Sequence, residues 1–562
     1  MTRRETLGLP TEHPQNPPQE LSIGQYLLKR LQDYGIGHCF GIPGDYILTF
    51  YAMLEKSPIQ AVGCTREDCA GFAADAYARI NGMGAVCVTY CVGGLSVCNS
   101  IAGAYAEKSP VVVISGSPGM EERVNNPLLH HKVRDFRTQI EVFEKLCVAV
   151  TELTDPAFAF REIDRVLATV ARFKRPGFIE LPRDMVDVIP HIAHPWHEPA
   201  ALVDSQVMEE AVAEALTLLA QAKKPLILAG IEMHRFGLQD KVVALAEKMG
   251  LPIAATLLGK SVVPETHPQY IGLYEGAMGH ANVTQYVEES DCVLVLGAFM
   301  TDLNLGIFTA NLDPARCIYI TSEQLRIRHH HFHGVPLDVF LSKLIDRCTP
   351  NPRVIPAELH PQALAYELIA DQPMTVQRMI ARLDQQIDDD TIVIADIGDS
   401  LFAATELITH QRTEFIAPAY YTSMGFSVPA TLGAQIARPK SRVLTICGDG
   451  AFQMTGMELS TIIRYGFSPI ILILDNHGYG TERFLHAGKW EFNEINPWKY
   501  HKLPEVLGGG KGYEIRTEGE FDAALNAAWK DRSGPSILQI HLQEGDASDA
   551  LKRLAARLSE RV

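Results

Sequence analysis

Three apolar runs in the last third of the chain, "TIVIADIGDS", "RVLTICGDG" and "PIILILDNHG", each end on glycine and a polar side chain. Unbroken Val, Ile and Leu without polar alternation mark strands buried on both faces, and such strands belong to parallel sheets. Open parallel sheets bind ligands beyond the carboxyl ends of their strands, where these turns collect. The fold class is therefore α/β, and the last segment is expected to carry a ligand.

The same alternation runs through the rest of the chain. "QAVGCT", "GAVCVTY", "PVVVISG" and "PGFIELP" read as buried strands, and "EDCAGFAADAYARING" and "GLSVCNSIAGAYAEKSP" read as helices packing through small residues. At 562 residues the chain exceeds one ordinary core. The expected organisation is a loose arm over 1–20, an α/β domain over 21–187 and a proline- and histidine-rich linker over 188–200 whose histidines face solvent. A second α/β unit follows over 201–348, then a linker over 349–362 and a third unit over 363–562.

A net charge of -17 opposes nucleic-acid binding, and no run approaches the roughly 18 apolar residues of a membrane span. Eleven cysteines without paired metal-ligand spacing read as free thiols in a reducing compartment. With no apolar secretion core in the first twenty residues, a cytoplasmic protein is expected.

Chemistry concentrates between Gly448 and Glu482, "GDGAFQMTGMELSTIIRYGFSPIILILDNHGYGTE". Asp449 and the amide oxygen of Asn476 are hard ligands suited to magnesium, and Gly478 can add its carbonyl. Gly448 and Gly450 let backbone amides approach a phosphate, and the helix opening through Ala451 aims its positive end at that charge. Aspartate-glycine turns are common, so the return to "DNHG" after one helix and one strand makes the signal specific. The segment resembles the thiamin-diphosphate binding motif of thiamin-dependent enzymes, which implies thiamin diphosphate and Mg2+ as cofactors. Asp475 departs from the usual paired asparagines of that motif. The same resemblance makes Gly398, Asp399 and Ser400 the companion loop near the diphosphate and aminopyrimidine, with Ser400 a donor to phosphate.

From Leu21 onward the order of segments is similar to a pyrimidine-binding, a central and a pyrophosphate-binding domain. "FGIPGDY", "LLHH" and the glutamate ending "NHGYGTE" resemble those of 2-oxo acid decarboxylases. The resemblance implies that Glu67 activates the cofactor through its aminopyrimidine, that Asp45 with His130 and His131 relays the proton that releases the aldehyde, and that Glu482 assists at the reacting carbon. It also makes Met424, in "YYTSMGFSVPA", the apolar wedge beneath the cofactor, where isoleucine or leucine is more usual; a core methionine is the plainer reading. It further implies that Asp45, Glu67, His130 and His131 meet Asp449, Asn476 and Glu482 of a partner subunit, giving a homodimer at minimum and a homotetramer by family habit.

By the same resemblance Leu401 stands where pyruvate-specific members place tryptophan, Thr481 is smaller than the apolar residue usual near the substrate, and Leu485 lies one turn farther along. Met278 marks a central-domain loop that can add to the same pocket. "LLHHKVRDFRTQIEVFEKLCVAV" is more similar to phenylpyruvate and indolepyruvate decarboxylases than to the pyruvate branch. The expected reaction is decarboxylation of a large, aromatic 2-oxo acid to an aldehyde. A pyruvate or branched-chain decarboxylase, a carboligase and a non-enzymic cofactor sensor stay as alternatives.

Overall fold

The computed structural model describes residues 20–197, 204–410, 414–486 and 488–558. The first nineteen residues of the expected arm and the last three of the 188–200 linker lie outside them. Residues 188–197 form no helix or strand, and His191, His194 and His197 are exposed.

Among the described residues nineteen strands form three sheets. The first has β1 (His38–Gly41), β2 (Gln60–Gly63), β3 (Gly84–Val88), β4 (Val111–Ser117), β5 (Ala149–Glu152) and β6 (Gly177–Pro182), all parallel, in the order β2-β1-β3-β4-β6-β5. Its strands β3, β4 and β6 are buried throughout, as their apolar runs require. The stretch 94–110, expected as one helix, instead falls in two, Val92–Ser96 and Cys98–Ala106, broken at Val97 and ended by Ala106. Gly93 and Gly94 lower helix stability in the first piece.

The second sheet contains β7 (Pro225–Ala229), β8 (Ile253–Ala255), β9 (Tyr270–Leu273), β10 (Cys292–Leu296), β11 (Cys317–Ile320), β12 (Leu325–Ile327) and β13 (His330–Phe332). β12 and β13 add an antiparallel edge to an otherwise parallel sheet. The third sheet contains β14 (Thr391–Ala395), β15 (Glu414–Ile416), β16 (Arg442–Gly448), β17 (Ile470–Asp475), β18 (Lys511–Ile515) and β19 (Ser536–His541), parallel, in the order β15-β14-β16-β17-β19-β18.

Three sheets do not make three contiguous bodies. The chain divides into two compact units, one of residues 1–200, 421–440 and 455–467, the other of 201–420, 441–454 and 468–562. In the first unit the helix Ser427–Ala437 packs on the helix Glu67–Asn81, both almost wholly buried and rich in alanine and glycine. The second unit contains the second and third sheets, each over its own apolar cluster. In the first sheet strand order reverses between β1 and β3, and in the third between β14 and β16. Those reversals open crevices at the strand ends, the places where such sheets take ligands.

Candidate active site

In the first unit, the turn after β1 carries Asp45 and Tyr46. His130 Nε2 lies 2.6 Å from Asp45 Oδ2. A carboxylate only accepts, so Nε2 bears the proton; Nδ1 lies 3.4 Å from Tyr46 Oη, whose hydroxyl donates to the His130 carbonyl oxygen at 3.3 Å. Tyr46 is fully buried and its ring stacks on His130 at 4.8 Å between centroids, fixing the imidazole plane. His131 meets His130 edge-on at 4.8 Å; its backbone is left-handed, φ 65°, and its Nδ1 is buried with no partner. The structure thus brings Asp45, His130 and His131 within 4.8 Å of one another.

Glu67 opens the helix that follows β2, where the positive helix end favours its carboxylate. A Cβ on Gly93 would stand 3.7 Å from Glu67 Oε1 and 3.4 Å from Thr89 Cγ2, and one on Gly44 only 2.5 Å from Thr89 Cβ. The Asp45 turn and the Glu67 carboxylate therefore flank the same threonine at the end of β3. Met424 is half-buried, between Thr422 and Gly425, both with positive φ. Its loop is latched within this unit, Asn99 Nδ2 donating to Ser423 Oγ at 2.8 Å and Tyr421 N–H to Glu107 Oε1 at 2.9 Å.

In the second unit, three loops converge beyond β14, β16 and β17. A Cβ on Gly398 would lie 3.0 Å from Thr481 Oγ1, one on Gly448 4.0 Å from Ser400 Oγ, and one on Gly450 2.6 Å from the Tyr479 ring. Asp449 begins the helix Asp449–Thr455, which Ala451 continues. Its buried carboxylate accepts from the N–H groups of Gly450 at 2.7 Å and Gly478 at 3.1 Å. Burial nonetheless pushes its carboxyl up to about 6. Gly478 has φ 146° and a Cβ there would sit 2.0 Å from Asn493 O, so only glycine fits.

Asn476 Oδ1 is buried and accepts no hydrogen bond among the described residues. Such an orphan costs about 1–3 kcal/mol unless a ligand fills it. Beside the buried Asp449 it forms a hard-oxygen pair of the kind magnesium prefers, so these residues fit a metal-bound diphosphate. Asp475 takes no part: it accepts from Gln539 Nε2 at 2.7 Å and pairs with His541 at 3.0 Å. The departure from paired asparagines therefore serves β17–β19 packing.

Glu482 is exposed on the short helix Gly480–Leu485, with Thr481 and Leu485 half-buried beside it. Two expectations change here. Leu401 does not share their setting, since it is fully buried in the apolar cluster of the third sheet. One residue on, about 100° around the helix, Phe402 packs instead with Met278, Phe484, Ile307 and the helix Asp549–Leu558. Asp399, expected to face the cofactor, directs its carboxylate to the C-terminal segment, accepting from Ser548 N–H at 3.0 Å and from its hydroxyl. Burial raises this carboxyl to about 6 as well. Sequence reading missed Tyr46, Thr89 and Phe402; the adjoining motifs "GDY", "TYCVGG" and "DSLF" were the available signals.

Comparison with known proteins follows the same lines. Residues 21–139, 212–343 and 396–540 match family models described as the N-terminal TPP binding domain, the central domain and the C-terminal TPP binding domain of thiamine pyrophosphate enzymes. The chain is 35% identical over 539 residues to the indole-3-pyruvate decarboxylase of Azospirillum brasilense, covering 95% of this chain and 97% of that one. It is 34% identical to an alpha-keto-acid decarboxylase of Mycolicibacterium paratuberculosis, covering 93% and 94%. To that of Mycobacterium tuberculosis (strain ATCC 25618 / H37Rv) it is 33% identical, covering 96% and 97%. The chain belongs to the thiamin-diphosphate-dependent 2-oxo acid decarboxylases. It is a three-domain α/β enzyme that binds thiamin diphosphate and removes carbon dioxide from a 2-oxo acid. No helix among the described residues is long and apolar enough to cross a membrane.

Proposed function

We propose that the preferred substrate is a large aromatic 2-oxo acid, of the phenylpyruvate or indole-3-pyruvate type, released as its aldehyde. The carrying observation is the surround of the helix that bears Glu482, where Phe484 packs with Phe402, Met278 and Ile307. An aromatic side chain gains stacking and apolar burial against such groups, and a methyl gains little. The 35% identity to an indole-3-pyruvate decarboxylase agrees.

Thiamin diphosphate supplies, when bound, the electron sink that lets a 2-oxo acid lose carbon dioxide. Asp449, Asn476 and the Gly478 carbonyl would hold Mg2+, and the amides of Gly448, Gly450 and Ala451 with Ser400 and the Gly398 turn would hold the diphosphate. Glu67 would hydrogen-bond to the aminopyrimidine, and Met424 would offer the cofactor an apolar contact. Turning a 2-oxo acid into an aldehyde and carbon dioxide consumes one proton, and His130 Nε2 delivers it, oriented by Asp45 and Tyr46. His131, edge-on to His130, extends that relay, and Glu482 orients the substrate carboxylate.

The domain bounds 21–187, 201–348 and 363–562 enclose the three family matches. A homodimer, paired into a tetramer, completes the site. Exposed Val124, Leu128 and Val133 on the segment bearing His130 and His131 support a partner covering it. Eleven free thiols fit a cytoplasmic setting.

The test is carbon dioxide release with phenylpyruvate, indole-3-pyruvate, 4-methyl-2-oxopentanoate and pyruvate at matched concentrations, with aldehyde identified in parallel. The aromatic acids are expected to show the highest kcat/KM, and Glu67→Gln to abolish turnover while retaining cofactor. Preference for pyruvate or the branched acid refutes the aromatic reading, and acyloin in place of aldehyde makes the enzyme a carboligase.

A further inference from the structure

Behind the Met278 loop the second unit encloses a cavity of about 250 Å³, bounded by β9, the segment 358–364, residues 405–408 and the C-terminal helix. Its walls are apolar over much of their area, with Ile271, Leu273, Val283 and Leu364 among them. Its charged groups are four acids, Glu265, Glu275, Glu358 and Glu406, against Arg553 and the imidazoles of His280 and His360, with neutral Tyr270, Asn282, Gln362 and Thr405 among them.

These acids differ in their partners. Glu265 is consumed by Lys260 at 2.8 Å and by Tyr270 and Thr409. Glu406 uses both oxygens, one on Arg553 at 2.9 Å and the other on His280 at 3.0 Å. Glu275 is different. It is 5% exposed, lines the cavity, and its carboxyl makes no hydrogen bond among the described residues. Burial raises its carboxyl to about 7 although Arg553, His280 and Lys260 stand near enough to favour its charge, and because those cations are bonded to Glu406 and Glu265 a further cation entering the cavity would meet Glu275.

The occupant has a defined chemistry. A bare metal ion asks for several oxygen ligands at fixed distances, and Glu406 and Glu265 are already spent on protein cations. The apolar walls ask for a hydrocarbon body. We propose that this cavity binds a small organic ammonium ion with an apolar body, its nitrogen on Glu275.

Such a ligand would also speak to the reaction centre. Glu275 and Met278 share one turn, closed by Met278 N–H to Glu275 O at 3.1 Å. The Met278 carbonyl accepts from Arg553 Nε at 2.6 Å, and its side chain packs on Phe402 and Phe484, next to Glu482. Occupancy thus fixes the Met278 loop and, through Arg553, the helix Asp549–Leu558. This is a second site, coupled to the first by a shared turn.

The probe is 2-phenylethylammonium, titrated calorimetrically into the cofactor-loaded protein, with 2-phenylethanol as the neutral control. Saturable binding of the amine, no binding of the alcohol and at least tenfold weaker binding by Glu275→Gln are expected, together with slower amide exchange over 549–558 in the wild type only. Val283→Trp, which fills the cavity and leaves Glu275 in place, is expected to exclude the amine too. No amine binding by the wild type, or equal binding by both variants, overturns the site; binding without change over 549–558 overturns the coupling. Neither readout needs turnover, so failure here is separate from failure of the aromatic-substrate reading.

Discussion

Replacing Gly433 with alanine tests how the helix that begins at Glu67 is held. A Cβ at Gly433, in the helix Ser427–Ala437, would stand 2.0 Å from the carbonyl oxygen of Ala73 and 2.8 Å from its carbon, both backbone atoms. No rotamer relieves a backbone clash. Restoring an ordinary contact of 3.4 Å requires the two helices to part by roughly 1.4 Å. Two effects then compete. Alanine raises intrinsic helix stability by about 1 kcal/mol over glycine, whereas forced separation of a close-packed pair costs about 1–3 kcal/mol. The clash wins where the neighbours cannot yield, and Ala70, Ala73 and Ala74 are fully buried. A net loss of up to about 2 kcal/mol is expected in urea unfolding of the cofactor-free protein. Function should suffer more: Glu67 sits at the start of one helix and Met424 three residues before the other, and a displacement near 1 Å at a reacting centre costs about 100-fold in rate. A variant as stable as the parent or more so, with unchanged turnover, would refute the claim that this approach positions Glu67.

Further predictions concern the remaining groups. Asn476→Leu removes the orphaned acceptor, so the cofactor-free protein should keep or gain stability, while the rise in Tm on adding thiamin diphosphate and Mg2+ disappears; a retained rise in scanning calorimetry contradicts the metal assignment. Asp45→Asn should lower kcat by about 10²–10⁴-fold with Tm unchanged, because the Asp45–His130 pair is half-exposed and adds little stability. Glu180 is fully buried, with burial pushing its carboxyl up to about 8 despite the hydrogen bond from Gln139 Nε2. The folded state holds this proton where the unfolded chain has lost it, so stability is full below the ordinary value of 4.5 and falls as pH rises towards 8. Glu180→Gln should flatten that decline between pH 6 and 8, worth at most about 2.7 kcal/mol, and an unaltered Tm profile would show that Glu180 is ionised throughout.

What the sequence revealed follows from how locally each feature is encoded. The buried parallel strands were legible because unbroken runs of β-branched residues such as "VVVI" mark strands covered on both faces, and the loops after β14, β16 and β17 were legible because their glycines and acids stand directly at the strand ends. The pairing of His130 with Asp45 and Tyr46 spans more than eighty residues, and its stacking has no local signature. Leu401 shows the opposite failure. Its position in "GDSLF" was readable, but which helix face meets the core depends on register, and the structure turns Phe402 rather than Leu401 towards Met278 and Phe484. The two-unit division was also out of reach, because it requires residues 421–440 and 455–467 to pack with a sheet formed hundreds of residues earlier.

The first and third sheets have the same strand order, each reversing between its first strand and its third. Each therefore offers its ligand loops at equivalent strand ends, and those loops are fixed in length and composition by the backbone turns that close them. The Met278 loop and the C-terminal helix lie outside this duplicated plan, joined to each other by Arg553 on the Met278 carbonyl and to the third sheet through Phe402 and Asp399. On the proposed substrate reading, those two appendages can be changed to alter substrate range without touching the duplicated scaffold.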